Sequence, residues 1–308
     1  MKCAVSALWL GCCLVAGAQQ PARPEAPRIT VQSRLVNVAL NVVDEHGAPV
    51  AGLREADLEL FEDGKPLPIS YFDADHSTPL DIMMAIDASG CVWTDERLER
   101  DAAKAFAHSL LRPDDRIGLM EFSDDVTELQ PLTTDARRFD SALGQIHVGT
   151  STALYDAVYL ASQRLREAQV QTGARRVVVV ISDGENTTRH GSYDMAVEEA
   201  QRAGVMVYSL IIVPVVADAG RNTGGEHALI QMSRDTGGKF YTVEDKHDLA
   251  PALEHVSDDL RTQYTVGFYA PRKVLGDRDI RHIEIRLKDE SLEARYKLRY
   301  RTAYYAVR

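Results

Sequence analysis

The chain has 308 residues, of which 45% are hydrophobic and 26% charged, and it carries a formal net charge of -11. That length suits one large domain or two ordinary ones, with a core that needs no staples, and the composition excludes a disordered chain. The acidic balance argues against nucleic acid and anionic membrane surfaces, which call for basic patches, and suits a protein that holds cations or meets basic partners.

Residues 1–18 read as a secretory signal peptide. Lys2 supplies the positive start, the stretch from Ala4 to Val15 is apolar, and Ala16-Gly17-Ala18 is a small-residue cleavage site. The apolar run is too short to span a bilayer, and no other run approaches spanning length. Cys12 and Cys13 offer a lipidation alternative, but Trp9, Leu10 and Gly11 fit a lipobox poorly. A Pro-rich linker follows at 19–27. Cleavage would remove Cys3, Cys12 and Cys13 and leave Cys91 as the one thiol of an exported chain without an intramolecular disulfide. Loss of Lys2 takes the net charge from -11 to -12. A lone thiol in an oxidising compartment is normally buried or guarded.

Residues 28–78 read as an N-terminal β segment. Val31, Leu35, Val36, Val38, Leu40, Val42 and Val43 form a β-rich run, Leu58 to Phe61 a short strand, Glu62-Asp63-Gly64-Lys65 a hairpin turn, and Ile69 to Phe72 another strand. These are too few strands to close a sandwich alone. Residues 79–262 alternate strand and helix patterns, which predicts an α/β domain with a doubly wound, mostly parallel sheet. Leu98, Ala102, Ala105, Phe106 and Leu110 share a helical face, and Arg112-Pro113-Asp114-Asp115 breaks that helix. A strand over 117–122 has a hairpin partner over 126–132. Helices are expected over 135–146 and 152–168, and Val177 to Ile181 is a β-branched run of the kind buried on both faces. Beyond it the pattern predicts helices near 193–203, 226–236 and 247–262, and strands at 205–213 and 239–243. Residues 263–308 return to strands, over 264–268, 281–287 and 294–300. The two β-rich ends are expected to pack together as one small β-domain, with the α/β domain inserted between them, which would protect their strand edges.

Three segments of the α/β region belong together. Two apolar strands end in an aspartate and a tight turn, in Asp87-Ala88-Ser89-Gly90-Cys91 and in Ser182-Asp183-Gly184-Glu185. Between them lies a Gly/Thr/Ser loop opening a helix, Gly149-Thr150-Ser151-Thr152. In open parallel sheets, ligands bind beyond the carboxyl ends of the strands. Short oxygen-bearing side chains gathered there suit a hard divalent cation. Each piece also has a plainer reading. The aspartates could make Asx turns, and Thr152 could cap a helix. All three pieces in this order are harder to explain that way.

Over residues 80–260 the chain resembles the von Willebrand factor A domain family, and with its flanking β segments it looks like exported bacterial members. The run from Asp114 to Ser123 and the run from Thr152 to Asp156 add to the likeness. The resemblance implies a metal ion-dependent adhesion site with Asp87, Ser89, Cys91, Thr152 and Asp183 at the metal positions. Gly90, Ser151, Gly184 and Glu185 would lie on the partner-binding rim. The ion expected is Mg²⁺, with Mn²⁺ or Ca²⁺ as alternatives, and an open coordination position would read the Asp or Glu of a protein partner. Cys91 departs from the family's serine. A thiol is a poor ligand for Mg²⁺ or Ca²⁺ and prefers softer ions.

Enzyme motifs are missing from the sequence: there is no G-x-S-x-G, G-x-G-x-x-G, Walker loop, H-E-x-x-H or C-x-x-C. The expectation is an exported, non-enzymatic interaction or adhesion module, periplasmic or secreted, that binds an acidic group through a divalent cation. The alternatives are a metal-independent scaffold with a degenerate site and a hydrolase using Cys91 as nucleophile.

Overall fold

The computed structural model describes residues 35–74, 77–90, 96–168, 174–213, 223–271 and 280–305. The signal peptide, the linker, Val31 and Cys91 lie outside the described residues. In chain order the strands and helices are β1 (Leu35–Val43), β2 (Leu58–Glu62), β3 (Lys65–Leu67), β4 (Tyr71–Asp73), β5 (Leu80–Asp87), α1 (Glu96–Leu110), β6 (Arg116–Phe122), β7 (Val126–Thr133), α2 (Ala136–Leu143), α3 (Leu154–Glu167), β8 (Arg175–Ser182), α4 (Tyr193–Ala203), β9 (Val205–Ile212), α5 (Thr223–Thr236), β10 (Phe240–Val243), α6 (Leu249–Thr262), β11 (Tyr264–Tyr269), β12 (Ile280–Leu287), α7 (Glu290–Glu293), β13 (Lys297–Arg299) and β14 (Ala303–Tyr305).

A six-stranded sheet in the order β10-β9-β8-β5-β6-β7 forms the α/β part. All its pairings are parallel except the β6–β7 hairpin at one edge. Every residue of β5 is buried, and alternate residues serve opposite layers. Leu80, Ile82, Met84 and Ile86 pack with Phe106, Leu110, Phe139 and Val256 on one face. Met83 and Ala85 pack with Leu154, Val158, Val178, Val180 and Leu229 on the other. The β-branched run of β8 divides in the same way, as a strand covered by helices on both sides must. On β7 the register slips between its pairings to Ile117 and Leu119, and Pro131 falls in that irregularity on an edge strand, where a missing amide is tolerated.

The chain ends build two four-stranded sheets, β13-β1-β11-β4 and β14-β12-β2-β3, both antiparallel. Each mixes strands from before and after the α/β part. Their facing sides share one core containing Val38, Leu40, Leu58, Leu60, Tyr264, Val266, Phe268, Ile283 and Ile285. At the β2–β3 turn Asp63 and Gly64 both have positive φ, as a two-residue hairpin turn requires.

The strand expected over 294–300 is shorter than its sequence pattern. Asp289 accepts the Ser291 amide at 2.8 Å and caps the single turn of α7, so the extended conformation is confined to β13. The three residues of β14 show no periodicity a sequence reading could use. They are held by pairing to β12, by Tyr304 edge-on to Phe268 at 5.8 Å, and by Arg202 over the Tyr305 ring at 4.2 Å.

Polar contacts knit the amino-terminal ends of the parallel strands to the end of α6 and to Gln263 just beyond it. Asp115 accepts the Leu80 amide at 2.8 Å and the Arg112 amide at 2.7 Å, and it pairs with Arg261 of α6. Arg175 donates to Gln263 at 2.9 Å, and Gln263 donates to the Tyr208 hydroxyl at 2.6 Å. Gln263 alone separates α6 from β11.

Candidate functional site

The opposite, carboxyl-terminal ends of the strands carry the candidate site. Asp87 is the last residue of β5 and is fully buried. The Ser89 amide donates to its Oδ1 at 2.9 Å, and the Ser182 hydroxyl donates to its Oδ2 at 2.6 Å. Ser182 Oγ in turn accepts the Gly184 amide at 3.0 Å. This serine links the ends of β5 and β8, and sequence reasoning missed it, because a serine at a strand end carries no mark of the carboxylate it will meet. Asp183 is buried and accepts the Glu185 amide at 2.9 Å. Both aspartates therefore make the Asx turns of the plainer reading. Each such bond uses one lone pair of one oxygen and leaves acceptor capacity for a cation.

The Gly149–Thr152 loop is brought against this centre through Gly149, whose amide donates to Ala88 at 3.0 Å beside a bridge to Ser89. Thr152 is buried, but it does not cap α3. Its amide donates to Thr187 Oγ1 at 2.8 Å, and its carbonyl accepts the Thr187 amide at 2.9 Å and the Thr188 amide at 3.3 Å. The capping role falls to Asn186, whose side-chain oxygen accepts the Tyr155 amide at 3.2 Å. Asn186 and Thr187 thus zip two loops together, a role their sequence positions do not reveal.

Of the four rim residues, Gly90 and Glu185 are exposed. Ser151 turns its hydroxyl to Asp124. Gly184 is buried at φ 84°, and a Cβ there would lie 2.4 Å from the Gly225 backbone, so glycine is demanded by a close approach to α5.

Burial raises the Asp87 carboxyl to about 6, from an ordinary 3.8, because desolvation penalises its charge. The Ser182 hydroxyl and the Ser89 amide oppose that rise, and the charge of Asp183 adds to it. All the donors named at Asp87 are neutral. Removing one leaves a buried carboxylate short of a bond, so Ser182→Ala is expected to destabilise the metal-free protein by about 1.5–3 kcal/mol. Urea unfolding at pH 7 checks this.

The donor set fits a hard divalent ion. Two carboxylates and the hydroxyls of Ser89 and Thr152 are small oxygens of the kind Mg²⁺ accepts alongside waters. Among the described residues there is no cluster of three His, Cys, Asp or Glu side chains of the kind a soft-metal or carboxylate-cage site would need.

The comparisons agree with this architecture. The model of the von Willebrand factor type A domain matches residues 81–255, more than half of the chain. An uncharacterized protein of Borreliella burgdorferi is 26% identical over 203 residues, which is 59% of this chain and 59% of that relative's length. Proximal thread matrix protein 1 from the mussel byssus, in a structure described as having a zinc-occupied MIDAS motif, superposes with a TM-score of 0.51. Its identity is 18%, over 66% of this chain and 50% of that one. The conserved hypothetical protein BatB from Bacteroides thetaiotaomicron is 21% identical over 59% of this chain and 97% of its own, with a TM-score of 0.47.

Proposed function

We infer what this protein does from the family to which it belongs, that of the von Willebrand factor type A domains, whose members are as a rule interaction modules. It is an exported protein–protein interaction module that recognises an acidic group of its partner through a divalent cation. The observation that carries this reading is Asp87: a fully buried carboxylate at the end of a central strand, supported by neutral donors and facing a second carboxylate. A buried charge of that kind calls for a counter-charge. Asp87, Ser89, Thr152 and Asp183 would hold the ion, and the family resemblance adds Cys91 to that set. Bound there, the ion supplies residual positive charge for a partner's Asp or Glu. Gly90 and Glu185 lie on the exposed rim that a partner would touch.

Export rests on the leader read in residues 1–18. Among the described residues no helix is long and apolar enough to cross a membrane. The Mg²⁺ preference rests on the oxygen donors. Cys91 and the zinc named for the mussel protein make Zn²⁺ the competing ion.

Isothermal calorimetry with Mg²⁺, Mn²⁺ and Zn²⁺ tests the reading. Wild type is expected to bind a divalent ion, and Cys91→Ser to tighten Mg²⁺ by roughly an order of magnitude as a hard oxygen replaces soft sulfur. If neither protein binds any ion at millimolar concentration, the metal-independent scaffold takes its place.

A further inference from the structure

The loop that bears Thr152 is not held by the site's own residues alone. The turn after β6 reaches across to it. Asp124 Oδ1 accepts the Thr150 hydroxyl at 3.0 Å, and its Oδ2 accepts the Thr150 amide at 3.2 Å. The Ser151 hydroxyl donates to the same carboxylate and is the largest influence holding its pKa below the ordinary range. Beneath them the backbone closes up. A Cβ on Gly149 would fall 2.4 Å from Ser123 Oγ and 2.8 Å from Asp124 Oδ2, so only glycine allows the two loops this approach. Gly149 also donates to Ala88, one residue after Asp87. The Asp124 turn, the Thr152 loop and the end of β5 are therefore stacked in sequence.

We propose that Asp124 is a positioning residue for the candidate metal site, a latch that holds the 149–152 loop, and with it Thr152, against the end of β5. It has no ligand role of its own. Its side chain is exposed and sits on the surface turn between β6 and β7, so the core does not depend on it. What it contributes is the reciprocal capture of three donors on two consecutive residues. A carboxylate does this with both oxygens, while an amide keeps only one acceptor. Outer partners of this kind tune a metal site through the ligands they orient. The ion-binding part of the inference rests on the function proposed above. The latch itself does not.

Two measurements on wild type, Asp124→Asn and Asp124→Ala separate the two. In chelator, backbone amide exchange at residues 150–152 is expected to speed up in the order wild type, Asp124→Asn, Asp124→Ala, with the thermal midpoint unchanged. With Mn²⁺, affinity is expected to fall in the same order, by about 10- to 100-fold for Asp124→Ala. Unchanged exchange in Asp124→Ala overturns the latch. So does a loss of Mn²⁺ affinity that merely tracks a lowered thermal midpoint, which would mark a general structural role. Accelerated exchange in a protein whose wild type binds no Mn²⁺ upholds the latch and overturns the metal reading instead.

Discussion

Asp87→Asn is expected to abolish divalent-ion binding and, at neutral pH, to make the metal-free protein more stable than wild type. Two separate physical effects meet at this residue. As a ligand in the function proposed above, it would supply one of the two carboxylates assigned to the ion, and an amide cannot replace its charge. As a buried acid, it opposes folding. Its folded-state pKa of about 6 exceeds the ordinary 3.8, so between these values the native state holds a proton that the unfolded chain has released. The stability linked to that proton is complete below pH 4 and is lost as pH rises through 6. The loss amounts to at most about 3 kcal/mol. Asparagine removes the titration. It can still accept from Ser89 and donate to Ser182, whose hydroxyl can accept in place of donating. Urea unfolding in chelator should show wild type losing stability from pH 4 to 7 and Asp87→Asn staying flat over that range for this group. Burial dominates the cost. Repulsion between the two aspartates is a lesser contribution.

The largest loss of stability is expected far from the site, in Asp115→Ala. Asp115 is buried, with 1% of its surface exposed. Its two oxygens accept the Leu80 amide that begins β5 and the Arg112 amide in the turn after α1, and it neutralises Arg261 of α6. Alanine would strand two amides and remove the counter-charge of a largely buried guanidinium, which keeps its bond to the Leu110 carbonyl. Breaking a buried pair from one side costs about 3–5 kcal/mol. Asp115→Asn, which keeps an acceptor, should cost less. Thermal and urea unfolding of the two variants give the comparison. Equal losses would show that the charge is immaterial and that the backbone amides account for the whole effect.

These two residues also mark what could be read in the sequence. Asp115 was legible as part of a helix-breaking turn after α1, because Pro113 and the paired aspartates act locally. Its partner Arg261 stands 146 positions away, and no local rule connects them. Likewise Val177 to Ile181 announced a central strand through side chains alone, whereas β13 and β14 are three residues each and exist through their pairing partners. At the site, Asp87, Ser89 and Asp183 were legible because a strand, an acid and a turn follow one another in the chain. Ser182, Asp124, Asn186 and Thr187 were not. Each is an ordinary polar residue until another loop arrives, and it is the fold that decides which donor each one meets.

The junction has a mechanical consequence. The chain leaves the sandwich at Asp73 of β4 and re-enters it at Tyr264 of β11, and Asp73 pairs with Thr265, so both connections emerge from the same end of two neighbouring strands. The candidate site lies at the far end of β5. Tension between a captured partner and the sandwich would therefore run lengthwise along β5. Its parallel ladders to β6 and β8 would bear that load in shear, with seven register pairs on each side. At the junction the same pull would draw β4 lengthwise along β11, and three register pairs join these two strands there. Under load, the short seam beside Asp73 should part first, while the sheet that carries Asp87 is still intact.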